Sequence, residues 1–288
     1  GETDIAYIAG LFDGEGSIGK IAKWVISGNA QDSWDYIQQV KVDKGIVESS
    51  IAAPSAQQVT DLQLLPTEHS QWLAQAVTQY YRPILSAGNL SEAFALLSQY
   101  RILCATRVGE QGVEHLNQSI MEMLAPRVST FNKFSNGNDV SLFHGLPIMI
   151  NENHYGLSLY NGDIGIIWRN EAGHLVACFE SDTSESDLAE SNIPASKESG
   201  NTQYRQIMPT RLPQFEPVYA MTIHKTQGSE FGHVAMVLPN QTGNSLLSRE
   251  LLYTGITRAK HELSICASAA VWHSGVEASV IRYSNLTL

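Results

Sequence analysis

Basic residues are scarce in this chain of 288 residues: 18 lysines and arginines stand against 29 aspartates and glutamates, for a formal net charge of −11. DNA binding by counterion release needs clustered Lys and Arg, so the balance argues against a free-standing, non-specific DNA binder. A local basic groove, or a partner protein carrying the charge, is still compatible with it. Cysteine is scarcer: Cys104, Cys178 and Cys266 lie far apart in apolar, strand-like runs with no metal-ligand spacing. That excludes a disulfide framework and a zinc cluster, and leaves buried, reduced thiols of a cytoplasmic protein as the expectation. No stretch of about 18 apolar residues is present, so no membrane span is expected. No Met opens the chain and no leader pattern follows, which reads as an excised piece of a longer protein. A phosphate-binding G-x-x-x-x-G-K-[ST] loop is missing too. Gly16-Ser17-Ile18-Gly19-Lys20 has the wrong glycine spacing and no Ser or Thr after the lysine.

What is present is enough apolar sequence for one large domain or two modest ones. Ile18, Ile21, Ala22, Val25 and Ile26 repeat at helical spacing, so a helix is expected from about Ser17. Gly28–Asp35 reads as a turn, and Lys41–Val59 as mixed strand and loop. Helices are expected over Ser70–Leu85, Leu90–Gln99 and Val113–Leu124, with a short apolar strand at Arg101–Ala105. Asn132–Asp139 reads as a loop. From Leu146 the pattern changes to short apolar strands, Pro147–Ile150, Ile164–Trp168, Leu175–Phe179 and Arg205–Met208, separated by turn signals. They suit a small β-barrel inserted in a larger domain. Ser181–Gly200, rich in Ser, Glu and Asp, is expected to be a hairpin tip or a disordered loop.

The stretch with most chemistry is Val218 to Leu238, VYAMTIHKTQGSEFGHVAMVL. Two β-branched-rich runs flank His224-Lys225-Thr226-Gln227-Gly228-Ser229-Glu230, a polar turn at a strand end of the kind that carries function. It resembles motif V of superfamily 1 helicases, roughly T-x-H-K-x-Q-G-x-E-F, matching at Thr222, His224, Lys225, Gln227, Gly228, Glu230 and Phe231. Leu251–Lys260, LLYTGITRAK, resembles motif VI, in which an arginine at a helix end reaches the ATP γ-phosphate. Within that superfamily, Tyr100–Leu116 and His144–Gly165 resemble the RecD-like helicases, the exodeoxyribonuclease V α subunits. The resemblance runs from about Ser17 onward. Ahead of it, Ile8–Gly16 resembles the LAGLIDADG motif of homing endonucleases, with Asp13 as the metal carboxylate. The helical continuation at Ile18–Ile26 opposes that reading, since the endonucleases continue into strands.

The RecD-like resemblance implies an α/β fold: a second RecA-like domain, a parallel sheet flanked by helices, formed by 1–141 and 217–288 around the inserted barrel at 142–216. It implies ATP with Mg²⁺ as cofactors, translocation 5′ to 3′ on single-stranded DNA, double-stranded DNA as substrate, and RecB and RecC as partner subunits in double-strand break repair and recombination. Arg258 takes the place of the arginine that stabilises charge on the transferred phosphoryl group. Gly228 and Glu230 would meet the nucleotide, with Gln227 coupling it to DNA. Thr222, His224 and Lys225 would hold the DNA backbone, as would Arg107 and Asn117 after the Arg101–Ala105 strand. No metal ligand is assigned to this chain, and without Walker A and B elements it should not hydrolyse ATP alone. Where RecD-like proteins commonly read Arg-Phe-Asp this chain has Leu11-Phe12-Asp13, and leucine cannot contact phosphate. The rivals are a stand-alone RecD-like helicase, a homing endonuclease, and a binding module with no nucleotide dependence.

Overall fold

A computed structural model of the chain describes residues 16–47, 61–125, 132–135, 139–181, 195–197 and 203–279. Leu11-Phe12-Asp13, and with it the endonuclease-like stretch before Gly16, lies outside the described residues. The chain divides into two compact units: residues 1–72, 100–115 and 221–288 form the first, and residues 73–99 and 116–220 the second. The second unit thus gathers residues 73–99 and 116–141 together with the strands of the expected insertion.

The first unit is built on a five-stranded sheet. Its strands are β1 (Leu62–Leu65), β2 (Tyr100–Cys104), β11 (Ala220–Thr222), β12 (Phe231–Val237) and β13 (Ala259–Cys266), in the order β1-β13-β12-β2-β11. The β1/β13, β13/β12 and β12/β2 pairs are all parallel. Parallel strands covered on both faces need continuous apolar runs. That is the pattern here: every residue of β2 is buried, as are Val234–Val237 and Leu263–Cys266. The sheet is flanked by helices, as expected of a RecA-like α/β fold.

Helix α1 (Ser17–Ile26) buries Ile18, Ile21, Ala22 and Val25, the stripe that its spacing requires. Helix α2 (Ala30–Val47) corrects two expectations, the turn at Gly28–Asp35 and the strand and loop after Lys41. Only Ser27–Asn29 turns, with Gly28 at φ +79°. The Asn29 side chain then accepts from the Asp32 amide, an N-cap, and Ala30, Ser33, Trp34 and Ile37 are buried at i, i+3, i+4 and i+7. Trp272 of helix α7 (Ala269–Glu277) fixes this face, donating from Nε1 to Ser33 Oγ at 2.9 Å and lying 6.3 Å from the Trp34 ring. The rest of Lys41–Val59, from residue 48, falls outside the described residues.

In the second unit, β5 (Leu146–Ile150), β6 (Ile164–Arg169), β7 (Leu175–Ser181), β8 (Ala195–Lys197), β9 (Gln203–Ile207) and β10 (Phe215–Pro217) form an antiparallel sheet in the order β10-β5-β6-β7-β9-β8. One expectation is corrected here and one is narrowed. Asn132–Ser135, read as part of a loop, is a strand, β3, antiparallel to β4 (Asp139–Leu142). Residues 195–197, within the tract expected to be a hairpin tip or a disordered loop, pair antiparallel with β9, as a hairpin arm does. The helix expected over Ser70–Leu85 starts as α3 (Ser70–Ala76), passes through a π turn at Val77–Tyr81 and tightens to 3₁₀ at Arg82–Ser86, where Pro83 removes a donor. Helices α4 (Leu90–Gln99) and α5 (Val113–Leu124) have the expected bounds. All three cysteines are buried and free. Burial pushes the Cys266 thiol up to about 12 and Cys104 higher still, so both are inert as nucleophiles.

Candidate functional site

The polar turn at the end of β11 is shaped by its own backbone. Residues Ile223–Thr226 form one 3₁₀ turn, in which the buried Thr226 hydroxyl donates to the Ile223 carbonyl at 2.6 Å. The Ser229 amide then donates back to the Thr226 carbonyl at 2.9 Å. Reversing the chain within three residues puts Gly228 at φ +83°, the left-handed region that a side chain resists. A Cβ placed there would meet nothing within 4 Å, so one side of this turn is open. Gln227, Gly228 and Glu230 are exposed, His224 also, and Thr222 and Lys225 are half-buried.

Helix α6 (Arg249–Ile256) delivers Arg258. Ser248 caps it, its hydroxyl accepting from the Leu251 amide at 3.2 Å. Leu251, Leu252 and Ile256 are buried, and the helix approaches closely at Gly255. A Cβ on Gly255 would lie 2.8 Å from Met236 Sδ and 3.2 Å from Ile223 Cδ1. The missing side chain therefore seats the helix directly on β12 and on the polar turn. Past the helix end, Arg258 turns its guanidinium onto that turn: Nη1 donates to the Ser229 carbonyl at 3.2 Å, Nε to the Thr254 carbonyl at 3.3 Å, and Nη2 to Thr257 Oγ1 at 3.4 Å. The backbone reciprocates, with the Phe231 amide donating to the Arg258 carbonyl at 2.8 Å. All three partners of the guanidinium are neutral. Among the described residues no carboxylate pairs with it, so a half-buried positive charge is held in place without being neutralised.

Glu230 and Lys260 complete the join between the two segments, Nζ to Oε2 at 3.6 Å. Both are about half exposed, and such a pair contributes roughly 0–1 kcal/mol, so either partner is easily recruited by a ligand. The structure therefore brings Arg258, Ser229, Glu230 and Lys260 together where β12 and β13 begin, the register placing Phe231 opposite Ala259.

Two of the expected contact residues lie elsewhere. Arg107 follows β2 at the carboxyl end of the sheet: His233 of β12 pairs with Tyr100 and Val237 with Cys104, so the Arg258 cluster sits at the other end of these strands. Arg107 Nη2 lies 3.5 Å from Glu114 Oε1, both side chains exposed. Asn117 corrects an expectation. It is only 5% exposed, its Nδ2 donates to the Pro217 and Ala220 carbonyls at 2.9 and 3.0 Å, and its Oδ1 accepts from the Ala220 amide at 2.8 Å. An amide so occupied fixes the backbone entering β11 and has little left for a phosphate. Sequence reasoning also passed over Ser229, Thr257, Gly255 and Lys260. They lie inside the two motifs, but only the fold reveals that a carbonyl, a hydroxyl and an absent side chain are what aim Arg258.

The sequence matches the UvrD-like helicase C-terminal domain family over residues 217–266, the stretch containing every residue of this cluster. It is 33% identical over 287 residues to the RecBCD enzyme subunit RecD of Haemophilus influenzae, covering 96% of this chain and 39% of that protein. It is 27% identical to the ATP-dependent RecD2 DNA helicase of Deinococcus radiodurans, over 60% of this chain and 20% of that one. The chain thus spans well under half the length of these curated relatives. Among solved structures it is similar to a Pif1 helicase from Bacteroides in complex with ADP-AlF3 and ssDNA, at 16% identity and a TM-score of 0.33, covering 68% of this chain and 48% of that one.

Proposed function

We propose, for a chain that carries the C-terminal region of a RecD-like superfamily 1 helicase, that it forms the second wall of an ATP site in a DNA-translocating motor. The observation carrying this reading is the Arg258 guanidinium, fixed by three neutral acceptors and, among the described residues, left without a carboxylate. A fixed, uncompensated cation suits a charge that develops elsewhere, and preorganised donors of this kind are the largest electrostatic contribution to phosphoryl transfer. When bound, ATP supplies the γ-phosphoryl group whose negative charge Arg258 would face. The open side of Gly228 lets backbone approach the nucleotide, and Glu230 exchanges its exposed partner Lys260 for the ribose.

Thr222 ends β11, His224 and Lys225 follow it, and all three would hold the phosphates of single-stranded DNA, with Gln227 between DNA and nucleotide. Arg107, at the far end of β2, would be a separate phosphate contact. Mg²⁺ would be held by carboxylates of a first RecA-like domain outside this chain. The whole protein would move 5′ to 3′ on DNA, act in double-strand break repair and recombination in the cytoplasm, and assemble with RecB and RecC as the α subunit of exodeoxyribonuclease V. The inserted β-rich body would correspond to residues 142–216.

The test is ATP-dependent unwinding by the full-length protein, alone and with RecB and RecC, on duplexes bearing a single 5′ or 3′ tail. Unwinding of the 5′-tailed duplex is expected. ATP-independent binding with no unwinding in either setting would overturn the motor reading, and activity without any association with the two subunits would favour a stand-alone helicase.

A further inference from the structure

Two exposed tyrosines stand on the segment joining β5 to β6. Tyr155 is 75% and Tyr160 49% exposed, and their rings lie 6.2 Å apart, edge to face. Large apolar side chains left in water are common singly, but adjacent aromatics on one rigid support mark binding surfaces. The support here is over-determined. Leu157 and Leu159 point into the core, at 2% and 0% exposure. His154 and Leu159 exchange backbone hydrogen bonds at 2.7 and 3.2 Å. The Asn161 amide donates to Asn153 Oδ1 at 2.8 Å and the Tyr160 amide to Asp163 Oδ2 at 2.9 Å. Beneath them the buried Arg205 donates from Nη1 to the Leu157 and Ser158 carbonyls at 3.0 and 2.7 Å.

Between those two carbonyls the backbone is strained: Ser158 adopts φ +50°, the one non-glycine residue with positive φ among the described residues. Strain of about 1–2 kcal/mol persists only where the surroundings enforce it, and it gathers at functional sites. Its effect here is to close the 3₁₀ turn Tyr155–Leu157 and set both rings outward on one short loop.

The charge around the rings selects the partner. Residues 151–163 contain two carboxylates, Glu152 and Asp163, and no lysine or arginine. Each carboxylate accepts from a backbone amide, Glu152 from Gln214 and Asp163 from Tyr160, which fixes the two acids in position. A phosphate backbone would be repelled by this surface. An arginine side chain would be drawn to it twice, by the carboxylates and by stacking on a tyrosine face.

We propose that the 151–163 loop is a preformed docking surface for an arginine-bearing segment of a partner protein, with Tyr155 and Tyr160 as its anchors. The proposal rests on the loop alone and stands whether or not the motor reading does. The probes are three: an arginine-rich nonapeptide, a glutamate-rich nonapeptide of equal length, and a 20-residue oligothymidylate. Each is titrated into this chain while the tyrosine ring resonances are followed by NMR. The arginine peptide is expected to shift the Tyr155 and Tyr160 rings, to bind about tenfold more weakly to the Tyr155→Ser/Tyr160→Ser variant, and to lose affinity with salt. The variant's thermal midpoint should match the parent's, because neither ring is core. Ring shifts caused equally by the glutamate peptide or more strongly by oligothymidylate, no shift with the arginine peptide, or unchanged affinity in the folded variant would each overturn the proposal. Tyr155→Phe/Tyr160→Phe keeps both faces and should bind as the parent does.

Discussion

Gly255 gives the sharpest test of how helix α6 is seated. Gly255→Ala has two opposing consequences. In a helix interior alanine gains about 1 kcal/mol over glycine. Against that, the new Cβ falls 2.8 Å from Met236 Sδ and 3.2 Å from Ile223 Cδ1, closer than atoms pack. Inserting a methyl group into a filled core costs about 1–3 kcal/mol. The 3.2 Å contact with the end of the Ile223 side chain needs a shift of only a few tenths of an ångström, so the 2.8 Å clash with Met236 Sδ carries most of the cost. A net loss of about 1 kcal/mol is therefore expected in the parent background. In a Met236→Ala background, itself destabilised by about 2–5 kcal/mol, the 2.8 Å clash is gone and the same substitution should stabilise by about 1 kcal/mol. Chemical denaturation of the four proteins in the cycle measures this directly. A Gly255→Ala effect of the same sign in both backgrounds would refute the close approach at this position.

Asn117→Ala leaves the buried Ala220 amide and two carbonyls without partners, at about 1–3 kcal/mol for each orphan, so a loss of at least 2 kcal/mol is expected by denaturation. DNA affinity of whatever protein remains folded should be unchanged. Gly228→Ala meets no neighbour and should cost only the left-handed strain, about 1–2 kcal/mol, with Gly228→Asn milder, as thermal unfolding would record. His69 is held below the usual histidine range, first by burial and then by His115, whose ring lies 5.6 Å away. A depressed folded value means that the unfolded chain binds the proton more readily. The contribution is therefore full above the ordinary histidine pKa and is lost as pH falls through the lower folded value. Stability measured from pH 7.5 down to 5 should decline less steeply in His69→Gln.

The parallel sheet and its two motif-bearing segments were legible because buried strands write themselves as apolar runs, and because Thr222–Phe231 and Leu251–Lys260 hold side chains in a recognisable order. Helix α2 was missed because Gly28, Asp32 and Asp35 suggest a turn, while its core face is carried by Ala30, Ser33, Trp34 and Ile37, two of which are small. Ser33 looks polar in sequence and is a buried acceptor for Trp272 in the fold. The β3/β4 pair has no clean alternation and only one strong β-former, Phe134, in its first strand, so its pairing depends on tertiary context. Among the residues expected at the site, Asn117 shows the limit most plainly. Its sequence neighbourhood suits a ligand contact, and only the partners 100 and 103 residues away reveal a backbone clamp. Arg258 was identified by its motif, whereas the acceptors that aim it, two carbonyls and a hydroxyl, leave no trace in residue type.

The central claim is that the Arg258 charge serves the nucleotide rather than the fold. Its three hydrogen bonds are long, to neutral and partly solvated acceptors, so Arg258→Ala should lower stability by only about 1 kcal/mol. The measurement is DNA-stimulated ATP turnover by the full-length protein carrying that substitution, beside its unfolding midpoint. A fall in turnover of about 10³–10⁵-fold with a midpoint within a few degrees of the parent is the expected result. Turnover within tenfold of the parent in a folded variant would contradict it.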